Sequence, residues 1–211
     1  MSRHLCSSLV ATALALGVTA TAASAAPQLP IPIALARALP IGTTVTVIGS
    51  VTVPSNAFDP GFAIQGPLAG IYVLDSAGAD RQIGDLVEVT GTLVDNFGLL
   101  SIQPTAAHGL GHAPAILAAP TSTGAVGEAT EGRLLKLHGT MVGDLFDDGP
   151  FGFKLNIDDG SGPIQIFLYP AVGISTDGLV NGAAIHVTCF SNQFEDTYEC
   201  DPPKASDFHV E

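Results

Sequence analysis

Three rings and three cations are the side chains whose types and spacing in this sequence could recognise a ligand. If Ile71, Val73, Ile164, Ile166 and Leu168 point into a core, strand alternation turns Tyr72, Phe167 and Tyr169 outward. The same alternation turns Lys136, His138 and Lys154 outward when Leu135, Leu137, Phe153 and Leu155 are buried. Tyr72 and Phe167 occupy equivalent positions of an internal repeat. Aromatic faces beside cations form a platform on which single-stranded bases stack, at about 1–3 kcal/mol per base. For Phe167 and Tyr169 two uses stand side by side: stacking a ligand, or covering a contact between two halves of the molecule.

Other chemistry is thinly supplied. No serine sits in a Gly-x-Ser-x-Gly elbow, and no cysteine beside an activating base suggests a nucleophile, so the expectation is a protein without catalytic residues. His108 and His112 are four apart, but Gly109 and Gly111 beside them oppose a helix, and a metal would need further ligands. Asp144, Asp147, Asp148 and the run Asp158-Asp159-Gly160 resemble fragments of calcium loops. They lack the regular spacing and the closing bidentate Glu, so they read as solvated turn residues. Neither a metal nor a cofactor is expected.

Composition narrows the partners. Twenty Asp and Glu against seven Lys and Arg give a formal charge of −13, which excludes a histone-like or polybasic role. With so few cations, contacts to a phosphate backbone would be local, their salt slope only about −2 to −3. Single-stranded DNA or RNA is therefore a weak-binding partner, and the acidic surface offers an alternative: a cationic protein or peptide.

Residues 1–25 read as a cleavable secretory leader. Arg3 and His4 precede an apolar stretch from Leu9 to Ala22, and small residues Ala23-Ser24-Ala25 close it ahead of Ala26-Pro27. Export to the periplasm or medium is the expected localisation, with no membrane association after cleavage. Loss of the leader removes one Arg and no acid, moving the charge from −13 to −14. It also removes Cys6 and leaves Cys189 and Cys200 as an even pair in an oxidising compartment, predicting a disulfide. Such a bond would tie the ends of a hairpin and contribute about 2–4 kcal/mol.

Glycine (24) and proline (15) are abundant enough to oppose long helices. The segment Gly42-Thr43-Thr44-Val45-Thr46-Val47-Ile48-Gly49 aligns with Gly132-Arg133-Leu134-Leu135-Lys136-Leu137-His138-Gly139, and Gly84–Gly91 aligns with Gly182–Cys189. Each copy predicts five strands: 43–53, 60–66, 69–75, 85–94 and 98–104, then 132–143, 151–158, 163–169, 183–190 and 197–202. Gly49 and Gly139 fall inside the long first strands, where a glycine lets one strand bend and serve both halves of a small closed barrel. The element order predicts an all-β chain of two tandem five-stranded, OB-fold-like Greek-key barrels, with a single large sandwich as the alternative. The organisation expected is 1–25 leader, 26–104 first barrel, 105–127 a partly extended connector, and 128–211 second barrel.

The chain resembles the tandem OB-type domains that accompany bacterial extracellular nucleases and also occur alone in exported proteins. In the first copy the resemblance rests on Phe62-Ala63-Ile64-Gln65, Gly70-Ile71-Tyr72-Val73, Ile83-Gly84-Asp85-Leu86-Val87 and Val89-Thr90-Gly91-Thr92. In the second it rests on Glu131-Gly132, Asp159-Gly160-Ser161-Gly162 and the stretch Tyr198 to Asp207 with Pro203-Lys204 and Ser206-Asp207. It implies nucleic-acid binding in service of a separate nuclease, with catalysis housed elsewhere.

Overall fold

A computed structural model describes residues 29–75, 78 and 80–211. The predicted leader, Cys6 included, lies outside the described residues. The strands are β1 (Thr44–Val53), β2 (Phe62–Gln65), β3 (Gly70–Val73), β4 (Asp85–Asn96), β5 (Leu99–His112), β6 (Ala119–Pro120), β7 (Leu134–Asp147), β8 (Phe153–Asp158), β9 (Ile164–Leu168), β10 (Ala184–Phe194), β11 (Thr197–Asp201) and β12 (Phe208–Val210). The helix α1 (Ile33–Ala36) precedes them and seats Ile33 and Ala36 in the first core. Among the described residues no helix is long and apolar enough to cross a membrane.

The first copy closes as β1-β2-β3-β5-β4. The second runs β12-β10-β11-β9-β8-β7-β6, and the added pairing of β10 with β7 closes β7-β8-β9-β11-β10 into the same ring. In both, the third and fifth strands pair in parallel, β3 with β5 and β9 with β11, while the other ring contacts are antiparallel. Two OB-like barrels in tandem follow, each with its own apolar interior.

The mid-strand glycines sit where the first strand of each copy changes partner. Ser50, next to Gly49, pairs with both Leu86 on β4 and Gln65 on β2. Thr140, next to Gly139, pairs with both Ala184 on β10 and Asp158 on β8. A Cβ on Gly49 would lie 3.0 Å from Ile64 Cβ, and one on Gly139 would lie 3.0 Å from the backbone of Asp158. A side chain there would force the neighbouring strand to give way.

Several features differ from the sequence reading, among them α1, β6 and the longer β7 and β10. β5 continues to His112, eight residues past the predicted end and into the predicted connector, because the long β4 offers partners as far as Asp85. Pro104 is accommodated opposite Gly91, where a register shift interrupts the ladder. β12 was not foreseen; its three residues extend the second sheet beside β10. The remaining connector is pinned through Thr123, whose hydroxyl donates to Asp159 at 2.8 Å, and Ser161 joins the same carboxylate. Those hydrogen bonds, led by Ser161, hold the exposed Asp159 carboxyl far below the usual range, so this aspartate is a structural pin of the β8–β9 turn.

Cys189 on β10 and Cys200 on β11 are disulfide-bonded, with Cα atoms 5.3 Å apart, and both are fully buried in the second core. The predicted pairing is present, and it ties together the two strands of one hairpin.

The barrels dock through a built interface. Arg37, just after α1, donates to Glu131 Oε1 at 2.9 Å and to the carbonyl of Gly70 at 3.3 Å. The same Glu131 oxygen accepts the Leu100 amide at 3.3 Å, and Gln65 Oε1 accepts the Leu134 amide at 2.7 Å. Burial raises the ionisation range of Glu131, while Arg37 opposes that rise. Farther along, the turn at Phe97–Gly98 meets the turn at Phe194–Glu195 through a β-bridge, and the two phenyl rings lie 5.8 Å apart.

Candidate functional site

Between the barrels runs a cleft of about 960 Å³. Its inner walls carry five rings: Phe58, Tyr72, Phe167, Tyr169 and Phe190. Tyr72 and Phe167 are structural equivalents, since each ring lies over a glycine of the preceding strand's entry, Gly61 and Gly152. A Cβ on those glycines would stand 2.8 and 2.9 Å from the respective ring. Alternation holds for both: Ile71 and Val73 enter the first core, Ile166 and Leu168 the second, and the rings face away from both interiors.

Facing away from a barrel is not the same as facing water. Tyr72 is only 3% exposed because the outer face of β3 meets Phe190 of the second barrel, and Phe167 is 7% exposed because Tyr169, Lys154 and the Gly152 backbone of its own barrel cover it. Tyr72 packs 6.0 Å from Phe190 within an inter-barrel apolar cluster and donates its hydroxyl proton to the Asp59 carbonyl at 2.8 Å. Tyr169 stacks on Phe58 at 4.8 Å and meets Phe167 edge-on at 4.5 Å. Burial, then nearby carboxylates, push both tyrosine hydroxyls far above their usual range, so they remain neutral donors. The expectation of an open stacking platform is thus corrected: ring stacking and barrel contact are one continuous aromatic wall, and Tyr72 belongs to its sealed end.

The predicted cations separate. Lys154 is in the cleft, with Nζ 5.6 Å from the Phe167 ring centre, and it is already paired with Asp148 at 2.7 Å. Lys136 and His138 are exposed on the outer face of β7, where they pair in register with Thr188 and His186 of β10, away from the rings. Alternation specifies inside or outside for each residue but not which arc of the barrel a strand occupies, and β7 and β9 occupy different arcs.

The sequence reading missed what surrounds the rings. Asp59, Asp148, Glu195, Asp196 and Glu199 line the cleft against the single Lys154. Phe97, Phe151 and Phe194 stand at its mouth, 65%, 69% and 51% exposed. At the floor, Asn192 Nδ2 donates to Glu199 Oε1 at 3.2 Å and to Asp201 Oδ2 at 2.7 Å, and Gln165 donates to the other Glu199 oxygen at 2.7 Å. Asp201 is fully buried and Glu199 4% exposed. A signal was available: Glu199 and Asp201 alternate with Cys200, so a buried disulfide on one face of β11 places both carboxyls on the other.

Burial raises the ionisation range of both acids, and for Asp201 the neighbouring Glu199 adds to the rise. A carboxyl that holds its proton more tightly folded than unfolded stabilises the fold fully below the ordinary range near 4. That contribution disappears as pH climbs through the elevated native range. Asp201→Asn, which keeps an acceptor for Asn192 without the charge, is therefore expected to gain melting temperature relative to wild type between pH 5 and 8. A relative gain on the order of 5 °C corresponds to ~1–2 kcal/mol in a chain of this size. Thermal melts of both proteins across that range are the check; a difference that does not vary with pH would show Asp201 to be ionised throughout.

No family model and no curated protein matches the chain. Solved structures similar to it include the p204 HINb domain, at 12% identity, TM-score 0.34, and coverage of 81% of this chain and 95% of that one. Another is p202 HIN1 in complex with a 12-mer double-stranded DNA, at 10% identity, TM-score 0.34, covering 81% and 92%. Fission yeast Pot1 with single-stranded DNA is a third, at 10% identity, TM-score 0.35, covering 81% and 83%. The DNA in the latter two structures is bound by those proteins; for this chain the geometry of the cleft is what bears on a ligand.

Proposed function

We propose that this is an exported, non-enzymatic OB-fold binding protein whose inter-barrel cleft holds a cationic segment of a protein or peptide. The observation that carries the reading is the cleft's inventory: eight rings and five carboxylates around one lysine that is already paired. Arginine and lysine side chains satisfy both parts of that inventory, lying on ring faces for about 0.5–2 kcal/mol each while their charge meets the acids. A phosphate backbone carries the same negative sign as these acids and would be repelled by them. The buried disulfide accords with export, since such bonds persist in oxidising compartments.

A second reading, weak binding of single-stranded nucleic acid in support of a separate nuclease, is favoured by one arrangement. Lys154 lies over Phe167, which adjoins the Tyr169–Phe58 stack, so a base and its phosphate could be met together there.

Fluorescence anisotropy with a labelled Arg/Lys-rich peptide and a labelled oligothymidylate, each at low and moderate salt, separates the two. The peptide is expected to bind and the oligonucleotide not. Replacing exposed cleft acids, Asp59→Asn with Asp196→Asn, should weaken the peptide about tenfold, or ~1.4 kcal/mol. Oligonucleotide binding without peptide binding would install the second reading, and binding of neither would remove both.

A further inference from the structure

We infer that the outer face of the second barrel carries a transition-metal site, formed by His138, His186 and Glu211 with His209 beside them. The three histidines sit in one row across three neighbouring strands. His186 on β10 is in register with His138 on β7 on one side and with His209 on β12 on the other. Directly paired residues share a face, and the flanking Leu137, Ile185, Val187 and Phe208 are buried, so all three imidazoles point outward. The three imidazoles form one row on an exposed face. As a donor set it suits zinc, nickel or copper.

The spacing of the first two rings is about 1 Å wider than one ion requires. The His138 and His186 rings are 6.1 Å apart, inclined by 21°. Two imidazoles on one tetrahedral ion, with metal–nitrogen bonds of about 2.0–2.1 Å, have ring centres on the order of 5 Å apart. Glu211 Oε1 is 2.9 Å from His186 Nε2, the position of a carboxylate that shares a proton with an imidazole and would share a metal in its place. The Glu211 amide donates to the Ala184 carbonyl at 3.0 Å, which holds that carboxylate beside β10. Among the described residues these donors do not already converge on one point. Closing the gap takes side-chain rotation on an exposed surface, in a depression walled by Thr140 and Asp158, with no core residue displaced.

This site is separate from the inter-barrel cleft, so its test is independent of the peptide titration. The full chain is purified without an affinity tag and titrated calorimetrically with zinc chloride and with nickel chloride. One saturable ion per chain is expected. His138→Gln and His186→Gln should each weaken binding at least tenfold, while His108→Gln should leave it unchanged. In parallel, nickel should broaden the imidazole proton resonances of His138 and His186 before those of His108 and His112. No saturable binding, equal binding by the His138 and His186 variants, or first broadening at His108 and His112 would each overturn the assignment.

Discussion

Replacing Gly70 with alanine is expected to lower the melting temperature by about 6–12 °C, whereas alanine at Gly66, four residues earlier, should change it by no more than about 3 °C. Gly70 lies on β3 where the first barrel meets Gly132 of the second, and a Cβ there would run into the Gly132 carbonyl. The obstructing atom is backbone and cannot rotate away, so the barrels must separate or the strand must bend, a cost of ~3 kcal/mol, at the upper end of overpacking. Gly132 is fixed from both sides, by its left-handed φ of 80° and by the same close approach to Gly70. A Cβ on Gly66 meets nothing nearer than 3.8 Å. Because Tyr72 and Tyr169 both lie in the inter-barrel wall, near-ultraviolet circular dichroism should weaken in Gly70→Ala and persist in Gly66→Ala. Equal melting of the two variants would mean that the contact at Gly70 is not tight.

Glu131→Ala is the second large effect, expected to cost about 3–5 kcal/mol, or ~6–20 °C. The Glu131 side chain is 1% exposed and that of Arg37 12%, so truncation leaves a nearly buried guanidinium and the Leu100 amide without their acceptor. Glu128 stands 3.7 Å from the same guanidinium but is largely in water, and it recovers only part of the loss. Pairing Glu131→Ala with Arg37→Met in a double-mutant cycle isolates the ion pair: the double variant should be more stable than Glu131→Ala alone, because the orphaned charge is gone. A double variant as unstable as the sum of the two singles would assign the loss to packing instead.

Both positions belong to segments that stood out in the sequence for another reason. Gly70-Ile71-Tyr72-Val73 and Glu131-Gly132 were legible as pieces of a recurring pattern, yet their work in the structure is to join two barrels. The strand set was readable because side chains enter a barrel interior at a period of two, and Ile71, Val73, Ile166 and Leu168 obey it although the residues between them are also largely covered. Gly49 and Gly139 were readable because few other needs place a glycine inside a strand. The disulfide was readable from the even pair of cysteines left outside the predicted leader.

The candidate site was legible only in part. Tyr72, Lys154, Phe167 and Tyr169 were found because they alternate against core residues, and they do line one cleft. Phe58 and Phe190 were missed: one precedes β2 in a loop with no period, and the other reads as an ordinary strand residue. Lys136 and His138 were placed correctly outside their barrel but on the wrong arc.

By itself the sequence determined which side chains enter each barrel, where the first strands bend and which cysteines pair, because these follow from local periodicity and pair counting within one copy. Only the tertiary structure decided that the outward rings become a shared aromatic wall and that Glu199 ends at its floor, joined through Asn192 to the buried Asp201. It also decided that three histidines, distant along the chain, align across β7, β10 and β12. Those outcomes depend on how barrels dock and how strands register, and no period within a single strand encodes them.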